Sequence, residues 1–394
     1  MLPIILLIRL ARSHFLVKIP ILLLTTAFFQ FLFLPWPAAF MVNLARCTIA
    51  TLVLQAAIAM PSVFLLKSEL LFDVAGFGNF ILVALLSLVG THGEYLLPGG
   101  GLSTFWDTVW NTGGVHWMRG YLFGPVIPDI GVVNWQVLRE VAGLGLAVMR
   151  ERVRSMPVHW SQVVINGVVV LWALRVGTYT SVRNLLRGGD SRFNGIRNNP
   201  NRFLKAFILQ ALWVWFCTLP IVAVNTLSPG AFRGMRCLKF GDELLPIPSC
   251  YIRMAWFALG MWSILRGSVI ELIADWQLSK WMWDRERKRH DEVFCSKGLW
   301  RECRHPNYYG ECLIWLGIAI CCSAFLLTNS ARNETGLGSF TMGALCCLSA
   351  FFHHQTLKHI SLPLIEEKYD RMYMSRRDYR TWRRSSSLRI WLEY

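Results

Sequence analysis

The stretch Gly298-Leu-Trp-Arg-Glu-Cys-Arg-His-Pro-Asn-Tyr-Tyr-Gly-Glu311 decides how this chain is read. It sets Arg301, Arg304, His305, Asn307, Tyr308 and Glu311 against the start of a strongly apolar run. Polar groups at the mouth of a membrane helix are costly, and they mark chemistry. Pro306 fits the first turn of a helix, where its missing N–H costs nothing. Asn307 and Glu311 are then four apart and share one face, with Tyr308 adjacent. Arg301 and Arg304 fall just before the helix, near its positive end, a place for phosphate. An Asn and a Glu together can donate to and accept from a carboxamide. The set suits a nicotinamide dinucleotide. The plainer reading is an interfacial helix start with snorkelling arginines and tyrosines.

Composition supports the membrane setting. Of 394 residues, 54% are hydrophobic and 16% charged, with mean hydropathy +0.40. A soluble domain carries about 25% charged residues. The 18 tryptophans suit helix ends at the lipid–water boundary. Net charge is +16. That excess sits in short blocks between apolar segments, so it reads as positive-inside topology and contact with membrane lipids, not as a nucleic-acid surface. The 11 cysteines include no CxxC pair. Cys321, Cys322, Cys346 and Cys347 read as membrane-buried thiols, and Cys237 and Cys250 flank a loop in which a disulfide is conceivable.

The expected fold is all-α: a polytopic membrane bundle of about 7–9 spans. Candidate spans fall near 16–35, 42–66, 70–90, 131–149, 158–182, 203–225, 251–282, 306–328 and 337–362. Arg139 and Glu140 interrupt the 131–149 run. Residues 1–69 read as an N-terminal transmembrane region, retained as an anchor, and 70–394 as one membrane domain. Residues 91–130, rich in Gly and Trp, read as a long loop or insertion. Three basic blocks set the orientation: Arg183 to Lys205, Arg285 to Arg289, and Arg376 to Arg384. One helical hairpin separates each from the next, so all three fall on the cytosolic side, with the C-terminus. Loops 226–250 and 329–336, the second carrying the sequon Asn333-Glu-Thr335, fall opposite.

Two more polar clusters stand out. Glu271 and Asp275 lie four apart in an apolar run and will not face lipid. They could hold ribose hydroxyls, pair with Arg301 or Arg304, or transfer protons. Trp172-Ala-Leu-Arg175, Arg183 and Gly188-Gly-Asp-Ser-Arg-Phe193 can line a phosphate-facing mouth, Arg192 included. His353, His354 and His359 are too few for a di-iron site, so no metal is expected. They suit pocket lining or helix packing.

The run Gly298-Leu-Trp … Arg304-His-Pro-Asn-Tyr-Tyr-Gly-Glu311 resembles the C-terminal signature of the steroid 5-alpha-reductase superfamily. The likeness is closest to the branch known as a membrane domain of unknown function. It extends to Asp73-Val … Asn79-Phe80, Trp172-xx-Arg175, Gly189-Asp-x-Arg192-Phe, Glu271-xxx-Asp275-x-Gln-Leu278, Ser361-Leu-Pro-Leu-Ile-Glu-Glu-Lys368 and the Tyr379/Thr381 tail, about residues 70–390. The resemblance implies a multi-pass endoplasmic reticulum reductase. Its cytosol-facing cavity would hold NADPH and pass hydride to a carbon–carbon double bond of a steroid, sterol or other lipid. Carried over by position, Asn307, Tyr308 and Glu311 contact the nicotinamide and its ribose. Arg301, Arg304 and His305 contact phosphates, and Asp275 and Glu271 complete the pocket. Tyr179 is the expected proton donor, since a Tyr near bound NADPH can protonate a carbanion or enolate. Isoprenylcysteine carboxyl and phospholipid methyltransferases carry a related Arg-His-Pro-x-Tyr-x-Gly element and a later Glu-Glu pair, here Glu366-Glu367. An S-adenosylmethionine-dependent methyltransferase is therefore the alternative.

Overall fold

A computed structural model describes residues 38–91, 158–186, 188–233, 249–336 and 338–386. Every regular element among them is helical. In chain order these are α1 (Ala38–Met60, running into a π turn at Pro61–Leu66), α2 (Phe72–Thr91), α3 (Trp160–Leu186) and α4 (Pro200–Asn225). Then come α5 (Pro229–Arg233), α6 (Ser249–Glu286), α7 (Leu299–Glu302), α8 (Pro306–Leu326) and α9 (Asn329–Thr335). The chain closes with α10 (Ser339–Thr356, ending in a π turn at Leu357–Ser361), α11 (Leu362–Tyr373) and α12 (Arg377–Ser385).

Six of these helices are long and apolar enough to cross a membrane, or seven if α9 and the continuous α10–α11 rod, bent 96° from it, form one span. The expected spans at 16–35 and 131–149, most of the 91–130 segment and Cys237 lie outside the described residues. The loop expected at 329–336 is a short helix. Thr328 caps it by accepting from Ala331 N at 3.1 Å, and Gly336 at φ 66° closes it.

Small residues decide the tightest packing. In α6 and α8, glycines recur seven apart: Gly260 and Gly267, Gly310 and Gly317. The helices run antiparallel, so Gly267 meets Gly310 and Gly260 meets Gly317. A Cβ on Gly267 would stand 2.5 Å from the Gly310 carbonyl oxygen, and one on Gly260 2.8 Å from that of Gly317. Without a hydrophobic driving force between helices in lipid, such close approach supplies the van der Waals contact that holds them. This contact also fixes height: Gly310 lies against Glu271. The start of α8 is therefore level with Glu271, and α6 runs on for about four turns beyond it.

Buried amides tie the other spans. Gln55 donates to Gln210 and to the Phe207 carbonyl, both at 2.9 Å, and Asn79 donates to Gln55 at 2.7 Å. At the opposite end, Asn225 donates to Ser87 and exchanges hydrogen bonds with Asn166. Each bond joins two helices in a medium with no competing water. Between the two sets, Phe80, Trp172, Trp213 and Trp315 meet edge-on or tilted, with ring centroids 4.8–5.3 Å apart. These four rings, from α2, α3, α4 and α8, form an aromatic floor.

Candidate functional site

Above that floor, at the arginine-rich end of the bundle, polar side chains converge from four helices. Arg175 of α3 reaches α6 and binds both of its carboxylates. Its Nη2 lies 2.5 Å from Glu271 Oε1, and its Nη1 donates to Asp275 Oδ2 at 2.9 Å. One guanidinium fork suits two carboxylates a helical turn apart. Among the partners the sequence left open for Glu271 and Asp275, the structure selects none of the two expected: neither Arg301 nor Arg304 pairs with them. Tyr179, one turn beyond Arg175, donates to the Asp275 carbonyl at 3.3 Å and lies 3.1 Å from Ser279 Oγ. Its hydroxyl is held against α6.

The first turns of α8 face this fork. Pro306 occupies the first turn as expected, and His305 provides no side-chain cap. The first amides of the helix therefore have no capping side chain, and they carry its positive end. Asn307 holds its side-chain oxygen buried and without a hydrogen-bond partner. Glu311, on the same face, is buried within electrostatic reach of Glu271, Arg175 and Asp275. Behind it, His353 of α10 presents Nε2 to Glu311 Oε1 at 3.5 Å. Tyr308 sits within electrostatic reach of Arg183 and Arg192.

Arg192 is held by a turn that the sequence builds, while Arg183 lies on α3. Gly188 (φ 72°) and Gly189 (φ 123°) take left-handed conformations that a side chain would resist. The turn aims the Asp190 N–H at Glu69, which accepts it at 2.8 Å and also pairs with Arg197. Asp190 in turn binds Arg192 at 2.5 Å. Burial pushes the Asp190 carboxyl up, but the Arg192 hydrogen bond and charge outweigh burial and leave it below the ordinary range. Arg183 lies over the Tyr179 ring, 5.2 Å from its centroid.

The remaining members of the expected set stand apart from this cluster. His305 Nε2 lies 2.6 Å from Glu366 Oε1, and Arg304 donates to the Arg383 carbonyl at 3.0 Å, with its Nε 3.4 Å from Glu366. Arg383 closes the set on Glu366 and on Asp370, and Tyr379 also donates to Asp370. Arg304 and His305 thus clamp α11 and α12 to the start of α8, with Tyr308 stacked on His305. Arg301 is exposed on α7. Among the described residues no three His, Cys, Asp or Glu side chains form a metal set.

Three participants escaped the sequence reading: Glu69, Glu366 as the partner of His305, and Trp213. Glu69 carries a signal, being a lone carboxylate at a helix break between apolar runs. Trp213 carries none, as one of 18 tryptophans.

Fold and site together define an all-helical, polytopic membrane protein with a buried charged cluster at one end of the bundle. The family described as "Protein of unknown function (DUF1295)" matches residues 132–386, and the chain belongs to it. No curated protein and no solved structure matches the chain.

Proposed function

We propose that this protein is an NADPH-dependent membrane reductase acting on a carbon–carbon double bond of a steroid, sterol or other lipid. The proposal extends to an endoplasmic reticulum location with the arginine-rich end in the cytosol. The observation that carries it is a pair of buried polar atoms left without hydrogen-bond partners beside the Arg175 fork. These are Glu271 Oε2 and Asn307 Oδ1. Native interiors satisfy such groups, and a pair of exceptions calls for a ligand that completes them. The likeness of the Arg304–Glu311 run to the steroid 5-alpha-reductase superfamily points the same way.

The residues fit a nicotinamide dinucleotide. Asn307 and Glu311 offer an acceptor and a donor amide beside a carboxylate, as a carboxamide requires. Glu271 and Asp275, fixed by Arg175, can accept from ribose hydroxyls. Arg183, Arg192 and the uncapped start of α8 supply positive charge for phosphates. The 2′-phosphate adds one more anionic partner among these arginines, which favours NADPH over NADH. When bound, NADPH supplies the hydride. The proton for the second carbon comes from a protein hydroxyl. Tyr308 is the better-placed donor, since Tyr179 is committed to the Asp275 carbonyl. The aromatic floor excludes water from the reacting end and leaves an apolar wall for a lipid.

A thermal-shift titration of detergent-purified protein with NADPH, NADH and S-adenosylmethionine tests the reading. At about 100 times Kd a ligand stabilises the fold by about 2.7 kcal/mol. Stabilisation by NADPH, followed by deuterium transfer from labelled NADPH to an enone lipid, is the expected result. Stabilisation by S-adenosylmethionine alone would replace the reductase with the methyltransferase.

A further inference from the structure

His353 lies wholly buried at 0% exposure on the last turns of α10. Its Nδ1 stands 3.1 Å from the indole nitrogen of Trp213 on α4. An indole N–H can only donate, so Nδ1 must accept. The ring proton of the neutral imidazole is then forced onto Nε2. Nε2 faces Glu311 Oε1 at 3.5 Å. Trp315 stacks on the imidazole with a centroid separation of 5.5 Å and fixes its plane.

We propose that Trp213 is a positioning residue that acts through His353 to set the hydrogen-bonding polarity of Glu311. With the proton on Nε2, His353 donates toward Glu311, and the carboxylate remains an acceptor for the ligand. With the proton on Nδ1, two acceptors would face each other. Glu311 would then have to be protonated to relieve the clash, and it would turn from acceptor into donor. The choice of tautomer therefore decides whether the cluster offers a carboxamide N–H an acceptor. This inference rests on the cofactor reading for its consequence, while the Trp213–His353 link stands on geometry alone.

Trp213→Phe removes the donor and keeps a ring against Phe80 and Phe77. Nitrogen-15 spectra of labelled protein, with the His353 signal assigned by its loss in His353→Gln, report the tautomer directly and need no ligand. The expected result is an Nε2–H tautomer in the wild type and a larger Nδ1–H population in Trp213→Phe, where Glu311 alone still favours Nε2–H. NADPH affinity should fall about fivefold in Trp213→Phe, the loss expected for one net hydrogen bond. His353→Gln, whose amide can still donate to Glu311, should stay within about threefold of wild type, while His353→Leu should lose about tenfold or more. A wild-type Nδ1–H tautomer, or one indifferent to Trp213→Phe, would overturn the proposal. Equal affinity in His353→Gln and His353→Leu would do the same. Failure of wild-type protein to bind NADPH would instead remove the cofactor reading, and the tautomer spectra would still decide the role of Trp213.

Discussion

Asn307 holds a buried side-chain oxygen on the first turn of α8 with nothing to donate to it. Such an atom costs the fold about 1–3 kcal/mol of unrecovered desolvation. Removing it should therefore cost little. We predict that Asn307→Ala leaves the melting temperature of the ligand-free protein unchanged or slightly raised, while NADPH affinity falls about tenfold. Paired melting curves with and without NADPH read both quantities. A large drop in the ligand-free melting temperature would mean that Asn307 is a structural residue. Arg304 contrasts with it, because its side chain is occupied by Glu366 and the Arg383 carbonyl. Arg304→Ala should mainly loosen α11 and α12, and limited proteolysis should cut the tail sooner. Undiminished tail protection in that variant would show that the clamp does not depend on Arg304. Sequence alone made Asn307 and Arg304 look like members of one ligand-binding set. Their separation comes from Glu366, about 60 residues on, and nothing in the local pattern announces it.

The α6–α8 pair and the Gly188–Gly189 turn carry the element-level argument. A methyl group on Gly267 would meet the Gly310 carbonyl oxygen and the Ile314 amide, and backbone cannot yield as a flexible side chain can. Gly267→Ala should destabilise by about 1–3 kcal/mol, the cost of overpacking. Gly167→Ala, which meets nothing within 4 Å on α3, should be neutral or stabilise by up to about 1 kcal/mol through helix propensity. Chemical denaturation in mixed micelles separates the two, and equal effects would sink the close-packing account. The turn makes a pH prediction. The folded Asp190 carboxyl titrates below its ordinary value of 3.8. A depressed carboxylate contributes stability that is present above the unfolded pKa and lost as pH falls through the folded one. Wild-type stability should therefore drop more than that of Asp190→Asn as pH falls below about 4. A constant difference between the two down to the acid limit would contradict the Asp190–Arg192 account. These elements were legible to different degrees. The spans from 158 to 328 appear within a few residues of where hydropathy set them, because a long apolar run has few alternatives. The glycine pairing was not legible, since spacing seven apart says nothing of the partner helix.

Across the whole molecule, charge and polarity divide the bundle into two unlike ends. The end holding Arg175, Glu271, Glu311 and the clamped tail is rich in arginine. The far end is tied by neutral amides, Asn166, Asn225 and Gln162, and by Ser228, which donates to Glu334 at 2.5 Å. Much of this division was legible from sequence, because the basic blocks recur once per hairpin. The partners inside the cluster were not, since Arg175 meets Asp275 across 100 residues of chain. Lys and Arg bias in short loops sets membrane orientation, so the arginine-rich end should face the cytosol. A glycosylation sequon on a flexible spacer appended after Tyr394 should then stay unmodified, because the transferase works on the opposite side. The same cassette inserted at Gly336, on the turn after α9, should be modified, since the spacer carries it clear of the membrane surface. Each product is read as a shift in electrophoretic mobility that endoglycosidase removes. Modification at Tyr394 with none at Gly336 would invert the molecule. The polar cluster would then lie on the side away from the cytosolic NADPH pool, and the reductase proposal would lose its source of reducing equivalents.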